Sequence, residues 1–223
     1  MQRKIILALV AAIITLPSFS RAMPAISCHC FQNREFDANQ PAAADDYLLT
    51  TTFNTFQGLA LGIDKKSIVR AKMSGRTSEE LWLKHWLAKE IGLSVEEITD
   101  RYEATGSWLE LARRAGLAER GDLSSTEDLS SDRKLAESVA QWEMIRYFGV
   151  EKEELAVLQK KGASLKEMTL SLLISALTSC SAAEVFDRAH AEGESWGRVA
   201  QKAGITFSAV ETKMTKQGVV ESK

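Results

Sequence analysis

The stretch from Gly62 to Leu117 recurs from Gly149 to Ile205, and this recurrence restricts the fold more than any other feature of the chain. Gly62 aligns with Gly149, and the offset stays at 87 through Gly106 and Gly193. Glu194 is a single insertion. After it, Ser107, Trp108, Ala112, Ala115 and Gly116 align with Ser195, Trp196, Ala200, Ala203 and Gly204. Of 56 paired positions 16 are identical, and 11 of these fall in the last 24, so the second part of the unit is under the tighter constraint. A sequence unit of this length is a supersecondary module that buries its apolar face against a neighbour.

The shared residues read as helix punctuation. Thr77 with Glu80, and Ser164 with Glu167, have the spacing of a capping box, in which hydroxyl and carboxylate satisfy each other's free amides. Ser94 with Glu97, and Ser181 with Glu184, repeat it one helix later. Glu97–Arg101 and Glu184–Arg188 are four apart, the favourable order for a surface ion pair. Gly106, Gly193, Gly116 and Gly204 stand where helices stop and a left-handed residue is wanted. Trp108 and Trp196 head short apolar-faced helices and are expected as buried anchors of the repeat. All three prolines (Pro17, Pro24 and Pro41) precede residue 42, which suits a helical body after that point.

The expected fold is therefore all-α, with two tandem multi-helix repeat units after an extended N-terminal arm. The expected boundaries are a signal peptide at 1–22, the arm at 23–46, the first unit at 47–117, a polar linker at 118–132, the second unit at 133–213 and a flexible tail at 214–223. The leader follows from Arg3 and Lys4, an apolar run from Ile5 to Leu16 ended by Pro17, and small Ser20 and Ala22 before a cut after Ala22. The run is shorter than the roughly 20 apolar residues of a membrane span, and no transmembrane segment is expected in the mature chain. The expected location is extracytoplasmic, periplasmic or secreted.

The whole chain has 28 basic and 30 acidic residues. Removal of Arg3, Lys4 and Arg21 with the leader leaves 25 basic against 30 acidic, which lacks the electrostatic footprint of a nucleic-acid binder. Ala200, Gly204 and Val210 do have helix-turn-helix spacing, but "TFSAVETKM" offers little beyond Lys213 to contact DNA. DNA binding is thus a distant alternative, and another envelope protein is the expected partner. Oligomeric state is not legible.

Ligand-type side chains cluster once, in "SCHCF". Cys28, Cys30 and Cys180 are the disulfide or thiol candidates, and three is an odd number, so at least one thiol is left over. Cys28 and Cys30 can bond to each other, pair with Cys180 or join a second molecule. Cys28, His29 and Cys30 are also metal candidates, for copper or for a zinc completed by an outside ligand. No other cofactor is expected. His85 and His190 do not recur between the units, which argues against a duplicated metal site. No residue is assigned to catalysis, because the acid pairs Glu79–Glu80 and Glu96–Glu97 sit in first helical turns, where the dipole favours carboxylates.

The segment "GESWGRVA" before Gly204 resembles a G-x-S-W-G-x-x-A segment of exported bacterial all-helical proteins. The resemblance implies an all-helical fold and names no activity. Stacked helical repeats present continuous binding faces, so the expected function is a non-catalytic interaction or scaffold protein of the cell envelope. The alternative is thiol-redox or metal handling through Cys28, His29 and Cys30. Expression with export should give a mature chain beginning at Met23. Mass spectrometry of the intact protein checks this, and a chain still carrying Arg3 and Lys4 would refute the leader.

Overall fold

A computed structural model describes residues 36–119, 129–190 and 193–218. Among them are eleven α-helices and no strand. The first five are α1 Asp45–Leu61, α2 Lys65–Met73, α3 Ser78–Ile91, α4 Val95–Thr105 and α5 Trp108–Arg114. The next five are α6 Asp132–Phe148, α7 Lys152–Lys160, α8 Leu165–Leu177, α9 Ala182–His190 and α10 Trp196–Lys202. A short 3₁₀ turn at Phe207–Ala209 leads into α11, Val210–Gly218. The helices α6 to α9 each begin 87 residues after α1 to α4, and α10 begins 88 after α5.

Local chemistry explains most of these boundaries. Ser94 with Glu97, and Ser164 with Glu167, form complete capping boxes. Ser181 and Glu184 exchange the same two bonds, at 2.7 and 3.3 Å. Thr77 departs from the expectation: its hydroxyl accepts the Glu80 amide, but the Glu80 carboxylate turns to Arg76 at 3.0 Å. The expected i,i+4 ion pairs are also replaced. Glu97 and Glu184 direct their carboxylates onto Ser94 and Ser181, and Arg101 and Arg188 act on them only through space.

The tertiary arrangement crosses the two halves of the chain. The first helix of each half packs on the other half: α6 lies along α3, and α1 lies along α8 and touches α10 and α11. At the centre, Phe56 of α1 meets Trp82 of α3 at 5.7 Å and Tyr147 and Phe148 of α6 at 5.6 and 5.9 Å.

Two carboxylates fix the crossing. Asp132, the first residue of α6, accepts from the amides of Trp108 and Leu109 at 3.2 and 2.8 Å and from the Ser107 hydroxyl at 3.0 Å. Asp45, the first residue of α1, accepts from the amides of Trp196 and Gly197 at 3.1 and 2.8 Å. Each satisfies orphan donors at the start of a short helix in the opposite half. The Ser195 hydroxyl completes the second site by donating to the Pro41 carbonyl at 2.8 Å. Gly197 is required here, because a Cβ at that position would stand 2.9 Å from the same carbonyl.

Three expected boundaries change. The described end of the arm is not extended: residues 38–44 form turns that bring Pro41 over Ser195. Asp132 is the capping residue of a helix rather than linker; the linker's residues 120–128 lie outside the described residues. The expected flexible tail is helical to Gly218, because Met214 is fully buried, at 0% exposure, one turn beyond buried Val210. Both apolar groups pack where α11 meets α1 and α6. Asp132→Ala should cost about 1–3 kcal/mol, the usual penalty for stranding capped amides. Urea unfolding checks this, and a change below about 0.5 kcal/mol would show that the cross-cap contributes little.

Candidate functional site

Trp108 and Trp196 are buried, at 4% and 5% exposure. Trp108 stacks on Tyr102 of α4 with ring centres 4.0 Å apart. Trp196 lies 6.3 Å from Phe186 of α9 and 5.9 Å, edge-on, from His190. Each tryptophan thus ties a short helix to the helix before it. Gly106, Gly193, Gly116 and Gly204 all have positive φ, between 68° and 70°, at helix ends. Ala200 and Val210, of the helix-turn-helix spacing, are both buried in the core.

Cys28, His29 and Cys30 lie outside the described residues. Cys180 is a free, half-buried thiol at the turn before α9, packed against the core. Among the described residues there is no disulfide and no group of three or more His, Cys, Asp or Glu side chains placed to share a metal ion. No described helix is long and apolar enough to cross a membrane.

The structure points instead to two open grooves, one in each half. The first, of about 420 Å³, lies between α3, α4, α5 and the start of α6 and is lined by Glu79, Glu80, Glu103, Asp132, Tyr102 and Trp108, with Arg76 beside Glu80. The positions 87 residues later are bridged differently. There Glu167 holds the His190 ring nitrogen at 2.8 Å, and Phe186 stacks on the ring at 4.3 Å. Burial raises the Glu167 pKa, but the backbone and hydroxyl bonds from Ser164 and the bond to His190 outweigh it and hold the carboxyl below the usual range.

The second groove, of about 560 Å³, lies between α6, α7 and the start of α8, with Gln141, Gln159, Ala163 and Met168 in its walls. At the corresponding place in the first half, Lys72 donates to Asn54 at 2.6 Å and lies over the Phe53 ring. One frame therefore carries two different surfaces. Sequence reading missed both, because each depends on helices far apart in the chain; the signal it did contain is that the aligned positions differ in charge and size.

One buried carboxylate stands apart from the grooves. Glu143 on α6 is 4% exposed and lies 87 residues after Phe56, close to the same central cluster. Lys89 and Arg146 approach it at 3.9 and 3.5 Å. Burial pushes its carboxyl above the usual glutamate range, and these two cations only partly oppose the shift. Compared with known proteins, the chain matches no protein-family model, no curated protein and no solved structure.

A folded-state pKa above the unfolded one means that the folded protein holds the proton longer, so this group's contribution turns unfavourable as pH rises through the window. Glu143→Gln should accordingly stabilise the protein at pH 7 and lose that advantage near pH 4. Glu167 has the opposite sign: its contribution is full above the usual glutamate range and fades as pH falls below it. Urea midpoints of Glu143→Gln at the two pH values test the first statement, and a variant equally or less stable at pH 7 would contradict it.

Proposed function

We propose that the chain is an exported, non-catalytic interaction or scaffold protein of the cell envelope, built from a duplicated helical unit. The observation that carries this reading is the contrast between frame and groove. Residues that recur between the halves are occupied with structure: Ser94, Ser181, Glu97 and Glu184 cap helices, Trp108 and Trp196 anchor them, and Asp45 and Asp132 join the halves. The grooves add residues that differ between the halves, Glu79, Tyr102 and Glu103 in the first and Gln141, Gln159 and Ala163 in the second, to recurring ones such as Glu80, Trp108 and Gly162. A fold that keeps its skeleton while changing its exposed walls is suited to holding partners.

Export is supported by the leader sequence. The second reading, thiol-redox or metal handling through Cys28, His29 and Cys30, is supported by their adjacency in an oxidising compartment. Copper or zinc is the metal that such a donor set favours.

Two experiments decide between them. A photo-crosslinking residue in place of Thr99, in the wall of the first groove, should form specific crosslinks to an envelope protein in cells. Absence of any crosslink from that wall and from Gln159 in the second groove would count against the interaction reading. Alkylation with mass spectrometry, and elemental analysis of periplasmic protein, should find a stable disulfide and no stoichiometric metal. A readily reduced Cys28–Cys30 pair or bound copper or zinc would favour the second reading.

A further inference from the structure

We infer that the outer face of α2 docks on the headgroups of an anionic phospholipid bilayer. The inference rests on the envelope reading above and adds a second kind of partner to it. It starts from the uneven spread of charge along the chain.

Residues 64–76, which comprise α2 and its flanks, carry five basic groups and one acidic group. The rest of the chain after the leader then has 20 basic groups against 29 acidic ones. The aligned segment 151–163 holds three of each sign, so the excess belongs to one half alone.

The fold divides these cations. Ile68 is buried, and Lys72, one turn on, is drawn inward, where it donates to Asn54 at 2.6 Å and lies over the Phe53 ring. Lys65 meets Glu211 of α11 at 3.5 Å, and Arg76 meets Glu80 at 3.0 Å. Lys66 and Arg70 differ from these. Both are exposed, and among the described residues neither side chain has an ion-pair or hydrogen-bond partner. They stand one turn apart on the side opposite Ile68, and Met73 follows on the same face at 37% exposure. Three large apolar side chains are exposed among the described residues, and two of them, Leu59 and Met73, belong to the packed pair α1–α2. At the positions of Lys66, Arg70 and Met73, α7 carries Glu153, Val157 and Lys160, and its outer face has no net charge.

Free cations beside an exposed apolar side chain suit an anionic bilayer. Lys66 and Arg70 meet lipid phosphates, and Met73 enters the apolar boundary beneath them, with the methylene stems of the two cations alongside. The shape fits as well, because a convex helix face needs a flat, yielding surface instead of a complementary groove. Segregation of the charge matters for a related reason. A chain that is acidic overall is repelled by anionic lipid unless its cations are gathered on one side, and α2 gathers them.

The test uses the mature chain and sedimentation with vesicles of phosphatidylglycerol and phosphatidylcholine in equal parts. Binding is expected, weakening as salt is raised and vanishing on phosphatidylcholine alone. Lys66→Gln and Arg70→Gln should each weaken it about fivefold. Met73→Gln should weaken it about threefold by removing the apolar part of the contact. Lys160→Gln makes the same charge change on α7 and should alter binding by less than about twofold. All four variants alter exposed side chains, and their unfolding midpoints should match the parent. No binding beyond that to phosphatidylcholine alone, unchanged binding in the Lys66→Gln, Arg70→Gln double variant, or an equal loss in Lys160→Gln would overturn the proposal. Equal affinity for soluble polyphosphate, with Met73→Gln unchanged, would mark a general polyanion site and overturn the bilayer as occupant. Crosslinks in cells from a photo-reactive residue at Ser67 to one acidic protein, and none to lipid, would overturn it in favour of that protein. Vesicle binding reads this face alone, whereas the intact mass of the exported chain and the Thr99 crosslinks read the envelope proposal, so either can fail while the other stands.

Discussion

The structure depends on each half lending its first helix to the other. Asp132 and Asp45 begin α6 and α1, and each lies across the start of a short helix from the opposite half. Their carboxylates meet amides that have no partner within α5 and α10, so the hydrogen bonds add to the apolar contact instead of competing with water at an exposed end. The helices they lead then cover α3 and α8, which bury Trp82, Trp86 and Leu87 and Leu170, Leu173 and Ile174 respectively. Neither half closes its own core. The helices of both halves therefore share one core, although the sequence divides into two stretches of nearly equal length.

This crossing explains why the two halves can differ so much in detail. Positions at the crossing are tightly held. Phe56 meets Trp82, Tyr147 and Phe148 within 6 Å, and Gly197 leaves no room for a Cβ beside Pro41. Positions at the rims of α3–α4 and α6–α7 carry no such load. There the same backbone carries a histidine–glutamate bridge in one half and an open acidic groove in the other. Large-to-small changes at buried positions cost several kcal/mol, whereas exposed changes cost little, and differences between the halves are expected to collect at the rims.

The carboxylates divide by position in the same way. Glu97, Glu167 and Glu184 sit in capping boxes, where Ser94, Ser164 and Ser181 hold them below the usual range. Asp45 and Glu143 lie in the crossing, where burial raises them. Acid therefore acts against the helix starts while easing the centre. Glu143 is the least expected residue of the core, because its counterpart Phe56 is a packed ring and a buried carboxyl requires compensation. Lys89 and Arg146 approach it from half-exposed positions and supply part of that.

Helix class, helix order and most helix starts were legible from local chemistry. Ser94, Ser164 and Ser181 mark helix starts, and Gly106 and Gly116 mark stops; these effects act over three or four residues and need no knowledge of the rest of the chain. The burial of Trp108 and Trp196 followed from apolar spacing on short helices. Met214 was misread as tail because one apolar residue in a polar stretch gives no periodic signal, and only α1 and α6 meeting beneath it make it core. The roles of Asp45 and Asp132 were invisible for a similar reason: Asp132 stands in a polar stretch that reads as linker, and an acid at a helix start such as Asp45 looks like an ordinary first-turn carboxylate until the helix it faces is known. By itself, then, the sequence determined that the body is helical and where most of its helices begin. The tertiary structure alone decided which half each first helix covers, and hence where the grooves open, because those contacts join residues more than twenty to about 150 positions apart, beyond the reach of any local pattern.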